Sequence, residues 1–465
     1  MFALSLTLFS PHVFPTSMKI LHALGWYFPE TLGGTEVYVK ALAERQKLIP
    51  HDVEVAAVGP GASHVTLTEH DGVAVFRYPT PSDPTRDEAQ GRVPARGSEH
   101  LRDYLETTRP DIFHVHTLTT GLGLHEIERA RQLGIRTVVT NHLGSVGFVC
   151  QRGTLMRFGE RVCEGIMRET TCAACALHAR GLPKALAWSV SFVARGTGAL
   201  GSRLPGKLGT AFGMNELITY NRKRQARLIE LVDRFVVLNR ATADVIVNNG
   251  GDPKKVTLNY LGLSHRLYER KPSARQRPTK PPVAFGYLGR FHAIKGIHDL
   301  ARAAVSLPSD RSFTLTMCGP AEDSAGAQMR RIIDDIVAGD ARVRVLPAVA
   351  PDRVPEVLSS FDALCVPSVA FEGGPTVVSE AHAVGTPVIG TRVGAMPELI
   401  EDGVTGALVE PGDWRSLASV LARAASRPAE TIDVWRNALP AARTMDDVAA
   451  DYEALYQQII SDGDA

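Results

Sequence analysis

The stretch Phe371-Glu372-Gly373-Gly374-Pro375-Thr376-Val377-Val378-Ser379-Glu380 holds two carboxylates with seven residues between them. The apolar run Ala363-Leu-Cys-Val-Pro367 before it reads as a strand, and Val377 to Val384 reads as a helix. The carboxylates therefore straddle a strand-to-helix turn. Two glycines leave the backbone open to close approach, and Pro375 suits the first helical position, where a missing N–H is no loss. A helix N-terminus behind such a turn attracts an anion such as a diphosphate.

Outward from this turn, strands alternate with helices in two series. The first has strand-like runs at Lys19–Gly25, Val53–Gly59, Ile112–His116, Arg136–His142 and Arg234–Asn239. Helical runs such as Ser98–Thr107 and Leu124–Leu133 lie between them. The second series has Val283–Leu288, Phe313–Gly319, Val343–Pro347, Ala363–Pro367 and Pro387–Ile389. Such alternation implies parallel sheets, so the fold class is α/β with two Rossmann-like domains facing a central cleft. Ligands in these sheets sit beyond the carboxyl ends of the strands.

The expected organisation is 18–268 for the first domain, 269–282 for a polar, Pro-rich linker, and 283–440 for the second domain. A terminal segment, 441–465, follows. Its helix is capped by Thr444, has Val448, Tyr452, Leu455 and Ile459 on one face, and is expected to pack across the domain junction. Residues 1–17 lack a basic leader region and read as a disordered extension or an upstream start, with Met18 the beginning.

A length of 465 residues supports two domains, and a net charge of +1 argues against a general nucleic-acid binder. No apolar run is long enough to span a bilayer. No zincin or Walker motif occurs, and Asp462-Gly-Asp464 lies at a frayed terminus.

Other residues join the carboxylates at the cleft. Gly289-Arg290-Phe-His-Ala-Ile-Lys295 follows the first strand of the second domain. Arg290 offers a planar fork and Lys295 a point charge, the pair a departing diphosphate needs. Gly33-Gly34 forms the turn after the first strand of the first domain. His114, His116 and His142 lie at strand ends; His142 is the best placed to touch a substrate, the others reading as structural.

Together these pieces resemble the GT-B glycosyltransferases of the retaining family 4. The resemblance runs over most of Met18 to Ile460 and is densest from Val283 to Asp413. It is carried by the Glu372–Glu380 pair, Ala381-His-Ala-Val-Gly-Thr-Pro-Val-Ile389, Gly394 to Glu398, and Asp402-Gly-Val-Thr-Gly-Ala-Leu-Val409. It implies a catalytic set of Glu372, Arg290, Lys295 and His142, with Glu372 on a donor-sugar hydroxyl and the cations on the diphosphate. It implies donor binding by Glu380 on ribose, by the backbone of Gly373, Gly374, Thr376 and Val377, and by Gly33 and Gly34 on the phosphate or acceptor side. No cofactor is implied for catalysis. The implied partners are a nucleotide-diphosphate sugar and a glycan or lipid-linked hydroxyl acceptor, in cell-surface or exopolysaccharide synthesis, at a cytoplasmic location. The competing reading is a non-catalytic binding or redox-sensing protein on the same scaffold.

One segment departs from the family pattern. Cys150, Cys163, Cys172 and Cys175 lie in an insertion at about 144–230. Their terminal Cys-x2-Cys is a ligand-type pair, so a structural Zn is expected, with an iron–sulfur cluster, unpaired or redox cysteines, and disulfides as the other readings. Cys318 and Cys365 sit in apolar strands. Residues 181–227 carry eight basic residues against the single acid Glu216. They read either as a surface touching anionic lipid or as a helix pair with a solvated basic face.

Overall fold

The computed structural model describes residues 17–29, 33–142, 149–196, 198–263 and 278–462. The linker expected at 269–282 and the extension expected at 1–17 fall mostly outside these.

The first domain holds β1 (Lys19–Leu24), β2 (Asp52–Pro60), β3 (Thr66–His70), β4 (Val73–Thr80), β5 (Ile112–Val115) and β6 (Arg136–Asn141). A small hairpin of β7 (Met156–Arg157) and β8 (Arg161–Val162) follows, then β9 (Arg234–Val237) and β10 (Val256–Leu258). The eight-stranded sheet runs β10-β9-β6-β5-β1-β2-β4-β3, all pairs parallel except β3 against β4. The second domain holds β11 (Val283–Leu288), β12 (Phe313–Cys318), β13 (Val343–Leu346), β14 (Ala363–Val366), β15 (Val388–Thr391) and β16 (Gly406–Val409). Its order is β13-β12-β11-β14-β15-β16, all parallel.

These strands are apolar runs because both faces are covered. In β1, Leu21 and Ala23 join the core under the helices Glu99–Thr108, Leu124–Gln132 and Met214–Leu231. Ile20 and Leu24 join a second core on the other face, with Tyr38 and Leu42 of the helix Gly34–Gln46. That second core also takes Val448, Tyr452, Leu455 and Ile459 from the terminal helix Met445–Ser461. The body of this helix thus lies on the first sheet rather than across the junction. Tyr452 and Tyr456 reach inward, their hydroxyls 2.8 Å from Thr140 Oγ1 and 2.6 Å from His114 Nδ1. Its N-terminal end meets the chain near the crossover, where a Cβ on Gly262 would lie 2.2 Å from the Thr444 carbonyl oxygen and Asn259 Nδ2 donates to the Val448 carbonyl at 3.5 Å.

Each sheet has one place where neighbouring strands lead off in opposite directions, between β1 and β5 and between β11 and β14. Such switch points open a crevice for a ligand. Between β6 and β9 lies the insertion: the hairpin and the helices Glu169–His178, Lys184–Ala194, Gly198–Ser202, Gly206–Phe212 and Met214–Leu231, with a core of their own around Ala173, Leu177, Met214 and Ile218. Among the described residues, no helix is long and apolar enough to cross a membrane.

Candidate active site

The loops after β11 and β14 meet at the second domain's switch point. The Ile294 carbonyl accepts the N–H of Val369 at 2.9 Å and of Ala370 at 3.3 Å. Gly296, at φ +64°, lets the first loop press on the second: a Cβ there would lie 1.9 Å from the Pro367 carbonyl oxygen. From the other side the N–H of Ala395 donates to the Glu372 carbonyl at 2.9 Å. Gly394, at φ +53°, leaves 2.1 Å between that same oxygen and a would-be Cβ. The backbone of Glu372 is therefore clamped from two sides.

Its side chain is clamped as well. Lys295 Nζ lies 2.6 Å from Glu372 Oε1, and the Ser368 hydroxyl donates to the same oxygen. Both partners of the ion pair are half-buried, so water screens it less than it would a surface pair. Buried Tyr287 donates its hydroxyl to the Arg290 carbonyl at 2.8 Å, and its phenol is pushed well up by burial and by the charge of Glu372. The Arg290 guanidinium is exposed and has no ion-pair partner among the described residues.

Glu380 lies within the helix Thr376–Ala383. Its carboxyl is pushed up to about 7 by burial, and no hydrogen-bond or ion-pair partner stands beside it among the described residues. Pro375 is the N-cap of this helix, one position earlier than the sequence pattern places it, and no side chain caps the turn. The Thr376 and Val377 N–H groups at that terminus are the type of donors that receive a phosphate. The preceding glycines touch the first domain. Asn239 Nδ2 donates to the Gly373 carbonyl at 2.5 Å, and a Cβ on Gly374 would lie 2.4 Å from Leu261 Cδ1.

Across the cleft, Gly33 is the extended N-cap of the helix Gly34–Gln46. The Glu36 carboxylate folds back over it, with Oε2 2.2 Å from where a Cβ would be, whereas nothing lies within 4 Å of a Cβ on Gly34. His142 follows β6, its ring edge-on to Tyr38 at 4.8 Å. A line of buried groups runs back from it: His142 Nε2 to His116 Nδ1 at 3.2 Å, His116 Nε2 to His22 Nδ1 at 2.9 Å, His22 Nε2 to Gln46 Oε1 at 2.7 Å. Burial holds His142 at about 3 and His22 at about 4, and drives His114 and His116 well below their usual value. All four are neutral near pH 7, so His142 can hold a hydroxyl but brings no charge. His22, His114 and His116 also converge within 4.8 Å, as metal ligands would. All six of their ring nitrogens already have partners, because His114 pairs with Tyr456 and Thr140, so the cluster reads as a satisfied core.

A cavity of about 440 Å³ opens beside His142, with Trp26, Thr35, Glu36 and Arg224 in its wall. Glu36 and Arg224 are absent from the sequence-based site. Glu36 stands two residues past the Gly pair, a signal that was legible. Arg224 comes from the insertion helix Met214–Leu231, and only the tertiary fold brings it there.

Two family models match the chain in the two domains: Glycosyltransferase Family 4 over residues 32–174 and Glycosyl transferases group 1 over residues 282–427. The chain is a family 4-type glycosyltransferase of the GT-B fold. It is similar to a D-inositol 3-phosphate glycosyltransferase of Mycobacterium sp. (strain JLS), 30% identical over 211 residues, 43% of this chain and 47% of that one. The enzyme of that name from Corynebacterium glutamicum (strain R) is 28% identical over 249 residues, 50% and 59% of the two chains. The alignments thus span about half the length of these relatives. Among solved structures, sucrose-phosphate synthase from Thermosynechococcus elongatus superposes with a TM-score of 0.64 at 19% identity, covering 96% of this chain and 100% of that one. Anabaena HepE in complex with UDP gives 0.57 at 15%, covering 96% and 98%. At these identities the likeness is one of fold.

The glycosyltransferase fold therefore brings Glu372, Lys295, Gly373, Gly374, Thr376, Val377 and Glu380 to one switch point, with Arg290 on a loop of the same sheet edge. Gly33, Gly34 and His142 stand at the switch point of the other sheet. The four cysteines are apart from both, in the insertion. All four are free thiols, and no three of their sulfurs lie within 4.8 Å of one another.

Proposed function

We propose that this glycosyltransferase moves a sugar from a nucleoside diphosphate sugar to a hydroxyl of a glycan or lipid-linked acceptor, with retention of anomeric configuration. The observation that carries the reading is the clamped Glu372–Lys295 pair beside a helix with no side-chain cap, whose Glu380 has no partner among the described residues. Related folds support the donor class: Anabaena HepE has been solved in complex with UDP-glucose, and an E. coli trehalose-6-phosphate protein bound with UDP-2-fluoro glucose.

In this reading Glu380 accepts hydrogen bonds from the ribose hydroxyls, which supply the donors its carboxylate lacks. The N–H groups of Thr376 and Val377, with Arg290 and Lys295, hold the diphosphate. As the C1–O bond breaks, its electron pair passes to the diphosphate oxygen, and these donors stabilise that charge. Glu372 holds a hydroxyl of the donor sugar while C1 becomes oxocarbenium-like. The acceptor oxygen attacks from the face the diphosphate leaves, and its proton goes to the leaving oxygen. Neutral His142 positions a sugar hydroxyl, and the cavity beside it takes the acceptor.

The product's anomeric configuration, read by proton NMR, tests the assignment. Retention is expected, and inversion would overturn it. Glu372→Gln should cut donor hydrolysis by about a hundredfold or more. Unchanged turnover would remove Glu372 from the mechanism.

We also propose that Cys150, Cys163, Cys172 and Cys175 hold a structural Zn. Two backbone N–H groups already aim at the sulfurs, Phe158 at Cys175 (3.1 Å) and Arg168 at Cys172 (3.3 Å), the pattern that orients thiolate ligands. An ion would draw the sulfurs together from their present spacing. Elemental analysis of protein purified without chelator should give one Zn per chain, lost in Cys172→Ser/Cys175→Ser. Protein without stoichiometric Zn would end the idea.

A further inference from the structure

The insertion helix Lys184–Ala194 is amphipathic the wrong way round for a water-facing helix. Its buried residues are small: Ala187, Ser191 and Ala194. Its outward residues are large and apolar: Leu186, Trp188, Phe192 (68% exposed) and Val193 (60%). The next two short helices and the turn between them add Leu200, Leu204 and Leu208. Seven of the 17 exposed large apolar side chains among the described residues thus fall in the 23 positions from 186 to 208. Scattered exposed leucines need no explanation, but a contiguous set with an aromatic pair does.

The charge around this face has one sign. From Lys184 to Leu208 there are four basic residues, Lys184, Arg195, Arg203 and Lys207, and no acid. Lys184 is tied to Glu160 of the hairpin and sits 5.5 Å from the Phe158 ring, while Arg195, Arg203 and Lys207 are exposed. The face is anchored from behind: Arg86 donates to the carbonyls of Ser202 and Gly209, and the insertion core packs under Ala187. A rigid apolar surface with an indole and a basic rim matches the headgroup region of an anionic bilayer. Apolar side chains would enter the acyl boundary and the cations would meet lipid phosphates.

We propose that this face docks the enzyme on anionic membrane. The same insertion supplies Arg224 to the wall of the cavity beside His142, so docking would bring that cavity toward the bilayer. Resting on the transfer reading above, the acceptor is then one whose reacting hydroxyl lies at the membrane surface. A lipid-linked acceptor satisfies this, and a free sugar in bulk water gains nothing from it.

Sedimentation of the full chain with phosphatidylcholine vesicles, with and without phosphatidylglycerol, tests the proposal. Binding to the anionic vesicles is expected, weakening about fivefold for each of Arg195, Arg203 and Lys207 changed to Gln. Phe192→Ser/Val193→Ser/Leu200→Ser should abolish binding while leaving donor hydrolysis and thermal midpoint unchanged, because these side chains are exposed and line no part of the site; Trp188 is kept, because its ring rests on Phe158 at the edge of the insertion core. Absence of binding to anionic vesicles would overturn the proposal, as would binding that survives the triple variant. Concentration-dependent dimerisation that this variant abolishes, in ultracentrifugation without lipid, would instead assign the face to a second copy. Failure of these tests would leave the anomeric assignment standing, because that rests on product NMR alone.

Discussion

Glu380 offers a direct test of the donor site, because burial and ligand binding pull its proton in opposite directions. In the free enzyme burial pushes its carboxyl up to about 7. Ribose hydroxyls donate to the ionised form, so binding selects the deprotonated enzyme and lowers that value. The apparent dissociation constant should then scale as one plus the ratio of protonated to ionised Glu380. That factor is about 1.1 at pH 8, about 2 at pH 7 and about 11 at pH 6, so affinity falls about tenfold from pH 8 to 6. The ligand should be an intact nucleotide sugar, whose diphosphate lacks the monoester proton that titrates near 6. Isothermal titration in two buffers of different ionisation enthalpy should detect about half a proton released per ligand bound at pH 7. Glu380→Gln should bind more weakly at pH 8 and lose both the pH slope and the proton release. The unliganded enzyme carries the opposite sign. A carboxyl raised in the folded state contributes stability that is fully present below the unfolded value, near 4.5, and is lost as pH rises through about 7. Without ligand, Glu380→Gln should therefore be the more stable protein at pH 8. A flat affinity profile in the native enzyme, or a slope kept by the Gln variant, would refute the placement of Glu380 on the ligand.

Other residues give sharper or blunter responses. Lys295→Ala removes a cation from the diphosphate and leaves Glu372 with Ser368 as its remaining partner. Turnover should fall by about a hundredfold or more, with a smaller loss in nucleotide-sugar affinity measured by titration. Gly394→Ala forces a side chain into a left-handed conformation against the Glu372 carbonyl. The strain alone is about 1–3 kcal/mol, so turnover should collapse while circular dichroism stays native. Leu455→Ala cuts a buried side chain from the terminal helix and should lower unfolding free energy in urea by about 2–5 kcal/mol. Because that core belongs to the first domain, loss of first-domain structure should accompany it.

What the sequence disclosed follows from which interactions are local. Val283–Leu288 and Ala363–Val366 are legible as strands because a parallel strand buried on both faces is an unbroken apolar run. The Glu372–Glu380 spacing is legible because one turn carries both. Thr66–His70 is not, because this edge strand exposes Leu67, Thr68 and Glu69 and has no apolar alternation. Nor does any local pattern show that Lys295 pairs with Glu372 77 positions away, since only the β11–β14 adjacency brings them together. The line from Gln46 through His22 and His116 to His142 is hidden for the same reason: β1 must lie beside β5, and β5 beside β6. The terminal helix announces its apolar stripe but not its partner, because a stripe says what is buried and not against what.

The bond from Asn239 to the Gly373 carbonyl has a partner nearby. Glu398 of the second domain accepts the N–H of Arg240 with both carboxylate oxygens, at 2.9 Å each. The first turn of the helix Arg240–Asn248 is therefore finished by its own Asn239 and by a residue more than 150 positions downstream, and the Gly373–Gly374 turn is held by a residue of the first domain. The seam between the halves runs through the functional loop and not around it. A hybrid enzyme made by splicing one relative's donor half onto another's acceptor half at the linker would inherit a mismatched seam unless Asn239 and Glu398 travelled as a pair. In this architecture, specificity modules are exchangeable only together with their shared border.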